Sequence, residues 1–382
     1  MKAMLPPLVL ASTLLQVSIP HPSTLATKVV DAIDRNYLYA DGDSWEGLRL
    51  RLSADANPSV SSLDQQLILL HDGDLRIMTS GQMMAMQKET SGKERGIGLV
   101  DFAVTVEPKT GEPKVVTPLV DSPAFKVGVQ PGDVIVAING QPTLGLVHED
   151  VIAAMRGDFG TVKIVVRRDD RHIAMEIPLA VWDEEAVVSR AFVAGNRHLG
   201  FIGVRLFTPK SGDQVRKAVE SLVADGLDGC IVDLRNNPGG YLDAMAVAGS
   251  AFTDRILAWK VRRDGTKEPI HSAAKPLKVV PLVVLVNEGT ASAAEILAAG
   301  LRDTTGARLV GAKTYGRGQI QTYVVLNDSV GIIIPAAIAE TLRGLRFNKE
   351  SGVSPDIVVS STADKKGVDA AYRSAVDLLT HD

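Results

Sequence analysis

The strongest constraint on the fold is a strand, turn and helix unit that repeats in the second half of the chain. LDGCIVDLR is typical of a buried strand, NNPGG of a turn and YLDAMAVAGSAF of a helix. The same order returns as PLVVLV, NEGT and ASAAEILAAGLRD, and ARLVGA begins a further strand. Such repeats need right-handed crossovers, so they predict a mostly parallel sheet with helices on it. Ligands of these sheets bind beyond the carboxyl ends of the strands, where NNPGG and NEGT both fall.

The chain before this core has two other patterns. From Ser23 to about Gln87, apolar residues recur at spacings of three and four, which predicts helices. Between Arg95 and Ala180, short β-branched runs such as DVIVAI and TVKIVVRR alternate with turn signals. We therefore predict an α/β protein with a helical N-terminal region over residues 21–94, an inserted β-rich domain over 95–180 and a core over 181–382.

The inserted β-rich domain contains the stretch DSPAFKVGVQPGDVIVAINGQP, in which a short helix leads into a PGD turn, a buried strand and an NG turn. This stretch resembles a PDZ domain. The resemblance implies that Gly96, Ile97, Gly98 and Leu99 form the loop whose amides receive the terminal carboxylate of a bound peptide. Alternatively, these glycines are turn residues of a small β-barrel.

The first residues indicate where the protein acts. MKAMLPPLVLASTLLQV has one lysine and then an apolar run of about fifteen residues, which is typical of a secretory signal and short for a membrane span. We expect residues 1–20 to be a signal segment and the protein to be exported, to the periplasm. The same segment allows transient membrane association, and a buried N-terminal helix is the alternative.

Charge and cysteine content exclude several classes of function. The net charge is −4 and the chain has no run of five Lys or Arg residues, so the basic surface that nucleic acid requires is missing. Cys230 is the only cysteine, which excludes an intramolecular disulfide and a cysteine-based metal site. No histidine or carboxylate pattern points to a metal, and no cofactor is predicted.

Ser292 is the candidate nucleophile. It stands at the first turn of a helix that directly follows a buried strand, where main-chain N–H groups have no partner within the helix and suit a developing oxyanion. The sequence Ser292-Ala293-Ala294-Glu295 is also a capping-box pattern, in which the serine and Glu295 only satisfy main-chain amides. The local sequence leaves both interpretations open.

Four segments in order favour the catalytic interpretation: DLRNNPGG, NEGTASAAEILAAGLRD, TYGRGQIQT and GVSPDI. Behind a PDZ-like domain, they resemble the carboxyl-terminal processing proteases, serine peptidases of the S41 type, over residues 95–358. The resemblance implies that Ser292 is the nucleophile. It also implies an oxyanion hole formed by the amide of Ala293 and that of Gly239 or Gly240.

The general base is where the sequence departs from this family. The family has a lysine in a segment resembling F-G-K-G, with a glutamine four residues later. Here the segment is Tyr315 to Gly318, the lysine position is Arg317, and Gln321 matches the glutamine. A catalytic lysine takes the serine proton as a free amine, whereas arginine stays protonated and has no lone pair to offer.

Three interpretations of Arg317 follow. Lys313 supplies the amine through a different loop path, or His71 serves as the base, although Asp74 stands where related peptidases have the histidine of a D-G-H pattern. In the third, proton abstraction is lost or severely slowed. Asp303 also matches a family position and is a candidate partner for Arg317.

The predicted function is that of a serine endopeptidase that cleaves proteins after its PDZ-like domain has captured their C-termini. The alternative is a catalytically impaired relative that acts as a periplasmic peptide-binding adaptor. In both cases the partners are proteins or peptides with a free C-terminus. The sequence gives no indication of an oligomeric state.

Overall fold

The structure is a computed structural model. It describes residues 24–54, 58–70, 74–79, 81, 93–99, 103–107, 110–146, 148–157, 159–183, 185–272, 274–348, 351–359 and 369–381. The predicted signal segment lies outside these residues. Among the helices that the structure describes, none is long and apolar enough to cross a membrane.

The N-terminal region is helical but also contributes to a core sheet. Its helices are α1 (Leu25–Asn36), α2 (Asp43–Ala54) and α3 (Val60–Leu67), followed by a 3-10 turn at Ile68–Leu70. Their buried apolar faces share one cluster with β17 (Gln319–Asn327) and β18 (Val330–Glu340). The strand β1 (Arg76–Thr79) then pairs antiparallel with β18. The prediction of helices for residues 21–94 is therefore incomplete.

The PDZ-like domain is an antiparallel sheet with two short helices. Its strands run in the order β3, β4, β5, β7, β8, with β6 paired to β5. The helices α4 (Pro123–Lys126) and α5 (His148–Ala154) pack with this sheet around one apolar core. The strands are β3 (Val104–Val106), β4 (Pro113–Val115), β5 (Val134–Ile138), β6 (Gln141–Pro142), β7 (Thr161–Arg168) and β8 (Arg171–Pro178). Before and after them, β2 (Lys93–Gly96) and β9 (Ala180–Asp183) pair with each other.

The core contains the predicted parallel sheet. Its six strands are ordered β10, β11, β12, β15, β16, β19, and every neighbouring pair is parallel except β10 and β11. The strands are β10 (Val187–Ala194), β11 (Arg197–Val204), β12 (Gly229–Asp233), β15 (Leu282–Val286), β16 (Arg308–Gly311) and β19 (Ile357–Val358). Cys230 is fully buried in β12, and burial raises the pKa of its thiol to about 12.

Helices cover both faces of this parallel sheet. On one face, apolar residues of α6 (Ser211–Ala224), α7 (Leu242–Gly249) and α8 (Ala293–Thr305) share the main core cluster. On the other face, α9 (Ala370–His381) packs on the alternate residues of β12, β15 and β16. This two-sided cover explains why strands such as LVVLV are apolar at every position.

A second core sheet was not predicted. The strands β13 (Ile256–Arg262) and β14 (Lys267–His271) join β17, β18 and β1 in an antiparallel sheet. Arg317 comes two residues before β17. Ser292 comes directly before α8, so the two sheets together position these two candidate site residues.

Candidate active site

Ser292 occupies a strained turn between β15 and α8. Its φ of 55° and ψ of −121° place a non-glycine residue in the left-handed half of backbone space, a conformation that costs about 1–3 kcal/mol. Its amide donates to Glu295 Oε2 at 2.9 Å. The surrounding contacts therefore hold this serine in a conformation that it would not adopt alone.

The NNPGG and NEGT loops are joined by hydrogen bonds. Asn287 donates through Nδ2 to Asn236 Oδ1 at 3.0 Å and accepts the Asn236 amide on its own Oδ1 at 2.9 Å. The amide of Ala291, the residue before Ser292, donates to the carbonyl oxygen of Asn237 at 2.9 Å. The prediction that the two loops share one edge of the sheet is confirmed by these contacts.

Gly239 lies against Ser292, and only a glycine fits there. A Cβ on Gly239 would lie 2.8 Å from the Ser292 Cβ, at a φ of 105° that other residues rarely adopt. The Gly239 amide donates to Asn237 Oδ1 at 2.8 Å. The amides of Gly240 and Ala293 have no hydrogen-bond partner among the described residues. Of the two glycines named from the sequence, Gly240 is thus the one whose amide has no described partner.

Glu295 connects the turn at Ser292 to the segment that holds Arg317. Its fully buried carboxylate accepts the amides of Ser292 and Arg317 on Oε2, at 2.9 and 2.8 Å, and the Gly316 amide on Oε1 at 2.8 Å. The Thr314 hydroxyl also donates to Oε1. Burial raises the pKa of Glu295, and the four donors oppose that rise. Glu295 therefore caps α8, as the sequence predicts, and also holds the segment 314–317 against the start of that helix.

The main chain at Arg317 lies next to the main chain at Ser292, whereas the Arg317 side chain is paired with Asp74. The Ser292 and Arg317 amides donate to the same oxygen atom of Glu295, which places position 317 next to Ser292. The Arg317 guanidinium donates through Nη2 to Asp74 Oδ1. The Arg317 side chain is 11% exposed and that of Asp74 is 3% exposed, so this is a buried ion pair.

The remaining residues named around Arg317 are the alternative bases Lys313 and His71, and Gln321, which matches the family's glutamine. Lys313 is exposed on the surface. His71 lies outside the described residues. Gln321 is half-buried on β17, where it is paired with Pro335 next to an irregularity in the strand register.

The hypothesis that Asp303 pairs with Arg317 is wrong. Asp303 lies near the end of α8, with its oxygen Oδ1 at 2.8 Å from Arg343 Nε and 3.5 Å from Arg302 Nε. The carboxylate that pairs with Arg317 is Asp74, which is 243 residues away in the sequence. The sequence marks Asp74 only as a residue that replaces a histidine, and nothing in it indicates the contact with Arg317.

A cleft of about 500 Å³ lies beside the Arg317–Asp74 pair. Its walls come from the N-terminal helices, from β3 of the PDZ-like domain and from the segment 315–319. Thr105 and Val106 of β3 line the cleft together with Tyr39 and Arg317. In the described part of its sheet, β3 pairs only with β4, so its other edge has no partner strand and leads to the cleft.

The loop expected to bind a peptide carboxylate is partly engaged by the chain itself. The Ile97 amide donates to the Met155 carbonyl oxygen at 3.1 Å, just after α5. The side chains of Ile97 and Leu99 are buried in the core of the PDZ-like domain. The amides of Gly98 and Leu99 make no hydrogen bond to any described residue.

Metal-ligating side chains do not cluster in the described part of the chain: no group of three or more His, Cys, Asp or Glu residues there could hold an ion.

Two family patterns match the chain. The pattern of peptidase family S41 matches residues 198–359, and that of the PDZ domain matches residues 114–168. The first range contains NNPGG, Ser292 and Arg317. The second lies inside the segment predicted to be β-rich, while the domain boundaries given above stay predictions.

Curated relatives and solved structures are similar to the chain over most of its length. A carboxyl-terminal-processing protease of Synechocystis sp. is 34% identical over 334 residues, which cover 84% of this chain and 76% of the relative. A chloroplastic C-terminal processing peptidase of Tetradesmus obliquus is 30% identical over 353 residues, which cover 85% and 75%. The structure of a photosystem II D1 C-terminal processing protease has a TM-score of 0.76 at 27% identity and covers 91% of this chain and 97% of that chain. The resemblance stated from the sequence is confirmed.

Proposed function

The chain belongs to peptidase family S41, the serine peptidases that include the carboxyl-terminal-processing proteases, and we propose that it captures exported proteins by their free C-termini while its own hydrolysis of them is severely slowed. The observation that carries this proposal is the Arg317 guanidinium, which pairs with Asp74 at the position of the family's lysine. The result is a peptide-binding adaptor built on a peptidase scaffold.

The open edge of β3 supports the capture of C-termini. A peptide that adds to a sheet edge gains main-chain hydrogen bonds, and its terminal carboxylate needs amide donors at the end of that strand. The amides of Gly98 and Leu99 lie just before β3 and have no described partner. At the other end of β3, Thr105 and Val106 line the cleft that also contains Arg317. A captured peptide would thus be led from the loop toward the peptidase site.

The contacts of the site explain why hydrolysis would be slow. With a peptide carbonyl over Ser292, the amides of Gly240 and Ala293 would donate to its oxygen as negative charge develops. The Ser292 proton, however, needs an acceptor, and the guanidinium of Arg317 stays protonated because its reference pKa is above about 12. General-base assistance is typically worth a factor of about 10² to 10⁴ in rate. Without it, the scaffold binds and positions the peptide but rarely cleaves it.

Peptides with a free C-terminal carboxylate should bind, and the same peptides amidated at the C-terminus should bind at least tenfold more weakly. The reason is that a hydrogen bond to a charged group contributes about 1.5–3 kcal/mol, and amidation removes the charge. Calorimetric or fluorescence titration of the Ser292→Ala protein measures both affinities without cleavage. Equal affinities for the two forms would contradict capture through the GIGL loop.

Wild-type protein incubated with unstructured casein should give no more cleavage than its Ser292→Ala variant. The comparison isolates cleavage that depends on the serine from any contaminating peptidase. Rapid cleavage that disappears in the Ser292→Ala variant would establish the second candidate function, an active serine endopeptidase. The observations that favour that candidate are the strained turn at Ser292 and the amides of Gly240 and Ala293, which have no partner among the described residues.

A further inference from the structure

The cleft beside the segment 315–319 is rich in aromatic side chains. Aromatic residues make up only 4% of the chain, yet five of the residues that line this cleft are aromatic: Tyr37, Tyr39, Trp45, Tyr315 and Phe347. Leu70, Val106 and Ile338 add aliphatic surface. Mostly apolar pockets of about 300–1,000 Å³ are typical of sites that bury a ligand. With its volume of about 500 Å³, the cleft has the size and the surface of such a site.

The charges in the wall of the cleft balance each other. Among the described residues that line it, Asp74 and Arg317 alone carry ionised side chains, and these two form an ion pair. A charged group of a ligand would lose its water here and meet opposite charges that are already paired, which is unfavourable. An uncharged aromatic or large aliphatic group gains free energy by leaving water. The cleft is therefore suited to an apolar side chain.

Tyr39 forms the exposed part of the aromatic wall. The side chains of Tyr37, Trp45 and Phe347 are buried, whereas 47% of Tyr39 is exposed. The ring of Tyr39 packs edge-on against that of Tyr37, with the ring centres 5.6 Å apart. The Tyr39 hydroxyl accepts a hydrogen bond from Gln319 Nε2 at 3.3 Å. These contacts hold the ring in place and still leave part of its surface for a ligand.

Contacts with the core fix the segment that contains Tyr39. The Leu38 amide donates to the Pro335 carbonyl oxygen on β18 at 2.8 Å. Arg263, in the turn between β13 and β14, donates to the carbonyl oxygens of Asp34 and Tyr37 at 2.9 and 3.2 Å. The second core sheet thus positions this wall of the cleft opposite β3 of the PDZ-like domain.

The open edge of β3 relates the cleft to the end of a captured peptide. A peptide whose carboxylate lies at the amides of Gly98 and Leu99 would run antiparallel to β3, because its C-terminus lies before the start of that strand. Thr105 and Val106, which line the cleft, follow Leu99 by six and seven positions. Paired strands both advance by about 3.3 Å per residue. A side chain about six residues before the C-terminus would therefore reach the cleft.

We propose that the cleft is a subsite for an aromatic or large aliphatic side chain about six positions before the C-terminus of a captured protein, and that Tyr39 is a specificity-determining residue of this subsite. This inference rests on the proposed capture of C-termini along β3. Successive side chains of a strand point to opposite faces, so the positions directly before and after the preferred one should show no such preference. The protein would thus select its partners by a terminal carboxylate and by an apolar side chain at a fixed distance from it.

The test measures the affinity of the full-length Ser292→Ala protein for fluorescent Gly-Ser peptides with a free C-terminus. In each peptide, Phe replaces one residue between positions four and eight before the C-terminus. We expect Phe at one position near the sixth to bind about tenfold or more tightly than Ser there, because burial of an aromatic ring is worth at least that factor. Glu or Lys at that position should bind no better than Ser. Equal affinities at all positions, or tightest binding with Glu or Lys, would overturn the proposal.

Variants of Tyr39 test its role in the preference for Phe over Ser. Tyr39→Ala should reduce that preference about threefold or more, since it removes one wall of the subsite. Tyr39→Phe retains the ring and should keep the preference. The matched control is Tyr372→Ala, which removes a tyrosine ring from α9 on the other side of the parallel sheet and should also keep it. An undiminished preference in Tyr39→Ala would contradict the role of Tyr39.

Photocrosslinking locates the side chain without reliance on affinity. A peptide with p-benzoylphenylalanine at the preferred position should, after irradiation, become attached to the cleft. Mass spectrometry should find the attachment within residues 37–45, 105–106 or 315–319, and an excess of the unlabelled Phe peptide should suppress it. Attachment to other parts of the chain would show that the apolar side chain binds elsewhere and would overturn the subsite.

The failure of this inference can be distinguished from the failure of the proposed function. If peptides with a free C-terminus bind more tightly than amidated ones but the position of Phe has no effect, the C-terminus is captured and the subsite is wrong. If amidation has no effect on affinity, the capture of the C-terminus is overturned, and with it the fixed distance proposed here.

Discussion

The variant Glu295→Ala is expected to unfold with a free energy about 4 kcal/mol lower than wild type, because each buried donor left without a partner costs about 1–3 kcal/mol. Four donors lose their acceptor: the amides of Ser292, Gly316 and Arg317 and the hydroxyl of Thr314. The buried carboxylate also costs desolvation, so the net loss is smaller than the sum. Denaturant titration followed by circular dichroism measures it.

The matched control is Glu220→Ala, which removes a glutamate from an exposed position on α6. Substitutions of this kind are usually within about 0.5 kcal/mol of wild type. A loss below 1 kcal/mol for Glu295→Ala would mean that water reaches the four donors, and that Glu295 does not hold Ser292 and position 317 together.

The parallel core sheet could be predicted because its signal is local. Each buried strand, glycine-containing turn and helix can be recognised within about twenty residues. The connections between these units and the right-handed crossover rule then predict a parallel sheet. The PDZ-like domain could be recognised for the same reason, because its turns and strands lie in one contiguous stretch. NNPGG and NEGT were placed together for a general reason, since the carboxyl ends of parallel strands meet at one edge.

The second sheet could not be predicted in this way. β1 consists of only four residues, and its partner β18 lies about 250 positions later in the chain. An antiparallel pairing between such distant segments leaves no periodic pattern at either place. The Arg317–Asp74 contact has the same origin, because β1 carries Asp74 into the core.

The interpretation of Ser292 shows where local reasoning stops. A serine before Ala-Ala-Glu fits a helix cap as well as a nucleophile, and the structure contains the glutamate half of that cap. Glu295 contacts the segment 314–317 as well, through hydrogen bonds that no spacing rule predicts. From the sequence, only the combination of ordered motifs favours the catalytic interpretation of this serine.

Replacement of Arg235 by alanine is expected to lower the free energy of unfolding by about 3 kcal/mol, the lower end of the cost of breaking a buried ion pair. Its guanidinium binds both oxygens of Asp233, through Nε at 2.9 Å and Nη2 at 2.6 Å. Its third contact, from Nη1 to Asp369 Oδ2 at 2.7 Å, ties the start of α9 to the loop before NNPGG. Without Arg235, Asp233 is left as a largely buried charge.

The variant Asp369→Asn tests the contact of Arg235 with Asp369 separately from its contact with Asp233. Burial alone would raise the pKa of Asp369, but the Tyr372 amide and the Arg235 guanidinium outweigh burial and hold that pKa below its ordinary value. Asparagine keeps an acceptor for Tyr372 and loses only the charge, and because the Asp369 side chain is 43% exposed, we expect a loss of about 1 kcal/mol or less.

Limited proteolysis completes the comparison, because α9 should be released in Arg235→Ala before the core unfolds. Arg171→Ala, an exposed arginine at the turn between β7 and β8, is the control for loss of a surface cation. If Arg235→Ala resists denaturant and protease as well as Arg171→Ala does, the ion pair contributes no net stability. In that case the position of NNPGG, and with it the amide of Gly240, depends on its hydrogen bonds to the NEGT loop and to the main chain at Val204 and Phe207.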